Sequence, residues 1–333
     1  MTDVSWSRYR GQDCLRLRGM APGTEVHVRP RTAVALDGLP TMAGSLVRDG
    51  DDVCFVPRFA FADGTTYHVV VDGVPSASLL RPRPDRPATT EVVEIHPTAT
   101  RVPRNLLRLY VRFSAPMSEG YAARHVRLVD EAGEEMKGAL LPTQHELWDA
   151  GRGRLTVLLD PARIKRGLVA HEEAGYPLRS GAPFRVVVDE GFRDAQGCNL
   201  RGPAERRYDV GAEERRRVEP DGWAVRVPSH HTCEPLDVGF GRPLDHALVG
   251  RCLHVVGPDG RPVDGLPEVG PEEQAWRLTP RANWAPGPHQ LVIDPVLEDL
   301  AGNSVCRVFD RDLTRPEDEP RETRPVVVTF QPR

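Results

Sequence analysis

The sequence predicts an all-β fold of tandem sandwich domains, on three observations. One pattern recurs along the chain with its apolar positions, a proline and a closing glycine in register. Within each copy, apolar and polar residues alternate with a period of two, as in antiparallel strands with one face buried. Gly 30 and Pro 32 in 333 residues favour many turns and short strands over long helices. Short strands punctuated by turn residues are the sequence form of the immunoglobulin-like sandwich. Tandem immunoglobulin-like β-sandwich domains are therefore the expected architecture.

The clearest match joins two strands and the connection between them. Leu109, Val111, Phe113 and Pro116 are answered by Leu236, Val238, Phe240 and Pro243, and Val126, Leu128 and Gly133 by Leu253, Val255 and Gly260, without a gap. The later halves match as well. Leu155 and Val157 are answered by Trp276 and Leu278, Val186, Val188 and Asp189 by Leu291, Ile293 and Asp294, and Asp194 and Gly197 by Asp299 and Gly302. The N-terminal segment shares only this second half, through Val53, Phe55 and Pro57 and then Tyr67, Val69, Val71 and Asp72. The repeat divides the chain into a partial domain at 1–85, a domain with two loop insertions at 90–212 and a third at 218–333. Arg81 to Pro87 reads as a semi-rigid Pro/Arg linker and Gly211 to Arg217 as a charged one.

Composition narrows the function classes. A chain of 333 residues holds two or three domains of ordinary size. The net charge of −4 lacks the basic surplus of a nucleic-acid binder. Lys137 and Lys165 are the only lysines, a bias expected of a GC-rich genome. Met1 to Trp6 shows no charged region followed by an apolar one, which predicts no export signal and a cytoplasmic chain by default. No apolar run approaches the roughly 18 residues a membrane helix needs. The six cysteines form no C-x-x-C pair; a Cys14–Cys54 disulfide and buried free thiols are both compatible with their positions.

Phe113-Ser114-Ala115-Pro116-Met117, a strand closing on Asp130 and Gly133, Pro161, the Phe184, Val186 and Val188 strand and an Asp-x-x-Gly turn resemble the bacterial Ig-like domain of the S-layer type. The third domain keeps Phe240 and Pro243 but has Gly241 and Leu244 where the pattern has Ser and Met. The resemblance is clear in domains two and three and partial in domain one. It implies a non-enzymatic module of exported surface or polymer-binding proteins, a different compartment from the one the start of the chain predicts.

Domain two carries two stretches that domain three lacks, and loops on a rigid sandwich are the usual place for recognition. The first, Leu140 to Gly153, includes His145, Glu146, Trp148 and Asp149; the second, Ala162 to Arg179, includes Arg163, Lys165, Arg166, His171, Glu172, Glu173 and Tyr176. Arg163, Lys165 and Arg166 suit a carboxylate or phosphate, and Trp148 or Tyr176 a sugar or base face. The alternative is an internal network in which Glu146 and Asp149 neutralise the basic cluster. His145, Glu146 and Glu172 are the candidate acid/base groups of a glycan or ester hydrolase.

His230, His231 and Cys233 concentrate metal-ligand types, with Asp245 and His246 one strand later, but not at diagnostic spacing. Asp194 and Asp299 read as Asx turns in preference to calcium loops. Trp6, Trp223, Trp276 and Trp284 read as packing residues. No nucleophile elbow, phosphate loop or dinucleotide fingerprint is present. The first reading is accordingly a non-catalytic binding or structural protein with no cofactor, whose partner is a polysaccharide, a small anionic ligand or another protein. A hydrolase is the second reading, and a metal-dependent protein using His230 to Cys233 the third.

Overall fold

The computed structural model describes residues 3–21, 23–30, 41–58, 60–82, 87–143 and 145–333. The chain divides into two compact units, one of residues 1–88 with 195–198 and one of 89–194 with 199–333. Residues 83–86 of the Pro/Arg stretch lie outside the described residues.

In the first unit, alternation turns Leu15 and Leu17 of the strand Gln12–Arg18 inward. They meet Val26, Val28, Phe55, Tyr67 and Val69 in one core. Arg10-Gly11 and Asp72-Gly73 close two-residue hairpins with positive φ at all four positions, the geometry that matches strand twist. Counted in chain order among the described residues, the seven strands stack first-second-fifth-fourth in one sheet and third-sixth-seventh in the other. That is the strand order of an immunoglobulin constant-type sandwich. The segment expected to be partial thus has both sheets. Cys14 and Cys54 stand in it as buried thiols; burial, and next the neighbouring Cys54, push the Cys14 thiol up to about 11.

The second unit contains the same strand order twice. Its first sandwich joins Leu147–Trp148, Arg154–Leu158, Arg108–Phe113 and Val92–His96 in one sheet. Val126–Asp130, Phe184–Val188, Ala204–Gly211 and Arg101–Pro103 form the other, with the short Arg101–Pro103 parallel to Ala204–Gly211. The second sandwich has Ala224–Arg226, Leu236–Gly239, Ala275–Pro280 and Gly265–Val269 facing Leu253–Val256, His289–Ile293 and Val326–Phe330. Its outermost strand Gly265–Val269 carries Pro267. The aligned alternating segments fall on equivalent strands. Both sandwiches also share a feature that the alternation did not reveal, a short helix leading into an equivalent strand: Ala122–His125 before Val126–Asp130 in one, His246–Cys252 before Leu253–Val256 in the other.

The two sandwiches of this unit are pinned to each other. Leu300 of the second packs into the core of the first, and the Leu107 amide donates to the Leu300 carbonyl at 2.9 Å. Gly302, at φ +80°, is required there, because a Cβ would lie 2.5 Å from Leu107. Arg108 pairs with Asp245 and Glu298, while the Tyr110 hydroxyl donates to Asp245 at 2.8 Å. The segment expected to be a charged linker is part of this junction. Asn105 holds both the amide and carbonyl of Glu214, Asn303 donates to the same carbonyl, and Arg242 donates to the carbonyls of Arg216 and Arg217.

Candidate functional site

The first insertion opens a cleft in the first sandwich of the second unit. The Leu141 amide donates to the Leu158 carbonyl, the chain then leaves the strand Arg154–Leu158, and it returns as the two-residue strand Leu147–Trp148. Asp149 closes the turn by accepting from the amides of Gly153 and Arg154 at 2.8 and 3.0 Å. Beside this detour lies a space of about 680 Å³. Val126, Leu128, Met136, Leu141, Leu147 and Val157 give it apolar walls, and its charged groups are Glu119, Glu135 and Glu146 against a single Arg127. Arg127 itself reaches Asp189 at 3.9 Å.

His145 and Glu146 line this cleft, His145 exposed and Glu146 half-buried. Both Glu146 oxygens are committed. One accepts from the Ala122 amide at 2.6 Å and the other from the Trp148 indole N–H at 2.8 Å. The helix Ala122–His125 has no side-chain cap of its own, so Glu146 supplies one from the insertion. Trp148 lies against Phe113 and Phe192 with centroids 5.9 and 6.0 Å away. Glu172 is elsewhere, exposed on the helix Val169–Ala174.

Arg163, Lys165, Arg166 and Tyr176 come together, on partners the sequence did not indicate. Arg163 Nε donates to the Gly175 carbonyl, Nη1 to Gly138 and Nη2 to Ala174 and Tyr176, all within 3.1 Å. Three of those carbonyls are at or just past the end of Val169–Ala174, where a cation also meets the negative end of the helix. Arg166 pairs with Asp310 at 3.0 Å, Lys165 lies 4.6 Å over the Phe309 ring, and Tyr176 lies under Arg104 and accepts from Arg215. Glu146 and Asp149, the acids expected to balance this cluster, are engaged with Ala122, Trp148 and their own turn instead; Asp310 takes that part.

His230 and His231 occupy a turn, with His231 at φ +59°. The His230 amide and Nδ1 both face the Arg333 carbonyl, at 2.8 and 2.6 Å, and Cys233 Sγ donates to Asn283 at 3.2 Å. Asp299 accepts from the amides of Ala301 and Asn303 at 2.9 Å, which is an Asx turn. Among the described residues, one grouping places the ligand atoms of three residues within 4.8 Å of one another: His96, His246 and Glu273. His96 and Glu273 are 177 positions apart, so no spacing rule could have paired them; the only sequence signal was His246 beside Asp245.

No helix among the described residues is long and apolar enough to cross a membrane. No protein-family model and no curated protein matches the chain. Among solved structures it is similar to native alpha-2-macroglobulin from Escherichia coli spanning domains MG0-NIE-MG1, at 9% identity over 73% of this chain and 71% of that one, with a TM-score of 0.25. The I9–I11 tandem from titin matches at 8% identity, over 86% and 89%, with a TM-score of 0.19. The FN1–FN3 domains of chicken CNTN1 match at 11% identity, over 98% of each chain, with a TM-score of 0.22. No role transfers at this level of likeness; the fold is established by the strand order.

Proposed function

We propose that this is a non-catalytic tandem immunoglobulin-like binding protein of the bacterial S-layer type, whose insertion cleft holds a short aliphatic, basic-flanked segment of a partner protein. The observation that carries this is the cleft lining, apolar walls with three carboxylates against one arginine. Its volume falls within the roughly 300–1,000 Å³ usual for ligand sites, and the charge excess favours a cationic flank.

The other ligand classes have weaker support. An anion would have to displace Arg163 from four carbonyls and Arg166 from Asp310. A sugar would need an aromatic face, and Trp148 spends its ring on Phe113 and Phe192 and its N–H on Glu146. Acid/base hydrolysis would need Glu146 free of the two donors it already accepts.

The test is calorimetric titration of the whole chain with a lysine-flanked leucine/valine peptide, the same peptide flanked by aspartate, chitohexaose and cellohexaose. Leu147 is 42% exposed on the cleft, so Leu147→Arg adds repulsion without touching the core. The expected result is binding of the lysine-flanked peptide alone, weakened at least about tenfold, or about 1.4 kcal/mol, by Leu147→Arg. Equal binding of the aspartate-flanked peptide, cleft-dependent binding of an oligosaccharide, or indifference to Leu147→Arg overturns the proposal.

A further inference from the structure

At the junction within the second unit, His96 ends the strand Val92–His96, His246 opens the helix His246–Cys252, and Glu273 closes the turn Pro271–Glu273. His96 is 2% exposed and Glu273 1%. Glu273 Oε1 lies 3.0 Å from His96 Nδ1 and 3.5 Å from His246 Nδ1. The imidazoles are stacked with centroids 3.5 Å apart. His246 Nδ1 is buried with no hydrogen-bond partner. A buried carboxylate beside two imidazole nitrogens, one of them unpartnered, is a donor set lacking a cation.

The surroundings hold these groups as a metal site requires. The Glu273 carboxylate accepts from the Thr98 amide and hydroxyl and the Ala99 amide, which fixes its direction. Glu272 and Glu273 both sit at φ +55°, in the left-handed region that non-glycine residues seldom occupy. With His96 Nδ1 turned to the site, its Nε2 lies 3.3 Å from Glu94 without a hydrogen bond, a short shift from the carboxylate support usual behind metal-bound imidazoles. His246, 27% exposed in its side chain, leaves a way in and a place for water.

We propose that His96, His246 and Glu273 bind one divalent transition-metal ion, Zn²⁺ by donor chemistry, with water as fourth ligand. Two imidazoles, a carboxylate and a water make an open tetrahedral set. The stacked rings point their nitrogens nearly parallel, so binding turns one ring about its Cβ–Cγ bond; His246 has the room. His96 comes from one sandwich and His246 and Glu273 from the other, so the ion ties the two together.

The experiment loads the whole chain with Zn²⁺, desalts it and counts metal by mass spectrometry, then repeats the loading with Co²⁺ and records the visible spectrum. One equivalent is expected, with the comparatively strong visible d–d bands of tetrahedral Co²⁺ and no thiolate charge-transfer band, because no cysteine is in the set. His246→Ala should retain less than about a tenth of an equivalent, and a His230→Ala/Cys233→Ala variant the full one. If His246→Ala fails to fold, His246→Gln and the Co²⁺ spectrum of the parent decide the matter. No bound metal in the parent, full binding in the His246 variants, or a thiolate band overturns the proposal.

Discussion

At the scale of single residues, the most consequential pair is Arg242 and Asp299. Asp299 is fully buried, and burial pushes its carboxyl up to about 7 against the opposing pull of Arg242, 3.1 Å away. A folded value above the unfolded 3.8 means that the native chain keeps a proton the unfolded chain has already released. Asp299 therefore costs no stability below about pH 4, costs progressively more as pH rises toward 7, and costs its full amount above that. Without Arg242 the ionised carboxylate is buried with no cation. Arg242→Ala is expected to lower unfolding free energy by about 3–5 kcal/mol at pH 8. At pH 5, where the folded chain protonates Asp299, the loss should be distinctly smaller. Urea unfolding at the two pH values checks this; equal losses would mean that Arg242 acts through Glu214, 3.1 Å away, and the Arg216 and Arg217 carbonyls, and not through Asp299.

At the scale of elements, the strands were legible and the insertions were not. Leu109, Val111 and Phe113 alternate because the strand Arg108–Phe113 buries one face, and the same cause operates at Leu236 and Val238, so a period of two located both. The insertions bury little, and their side chains take partners set by the fold. Arg163 read as an anion-binding group because its ends of contact, three carbonyls after a six-residue helix and the distant Gly138, carry no side-chain signature. Likewise Glu146 read as an acid/base candidate, while its role depends on Ala122, 24 positions earlier. Arg163→Ala is expected to cost about 2 kcal/mol, a typical figure for charged-donor bonds onto otherwise unmet carbonyls. Arg163→Lys should recover little, since an ammonium cannot span the same fork. Chemical denaturation measures both, and full rescue by lysine would show that charge alone matters.

Across the molecule, the repeat located two full sandwiches and part of another in the sequence, and gave no sign of how firmly two of them are joined. Gly211 to Arg217 has the composition of a solvated tether, with Arg215, Arg216 and Arg217 in a row. Its main chain is nevertheless held by Asn105, Asn303 and Arg242, and Arg215 reaches Tyr176 and Asp310. The pairing of Asn105 with Glu214 spans 109 positions, beyond the reach of any local pattern. Trypsin should accordingly spare this arginine-rich segment under native conditions and cut it only after urea. Timed digestion with mass spectrometry reads the outcome; early fragments ending at Arg215 to Arg217 would show that the segment opens readily.

The strand order that repeats three times has one further consequence. A sandwich, unlike a closed barrel, leaves outer strands whose main-chain groups can recruit another chain and seed fibrils. Three of those margins are blunted here. Leu147–Trp148 is only two residues long, Gly265–Val269 places Pro267 where an amide would otherwise donate, and Val74–Leu80 carries Pro75 and a register shift. Edges finished in this way do not template their own extension, which leaves unbroken outer strands such as Val326–Phe330, with Val327 exposed, as the margins where strand exchange would start.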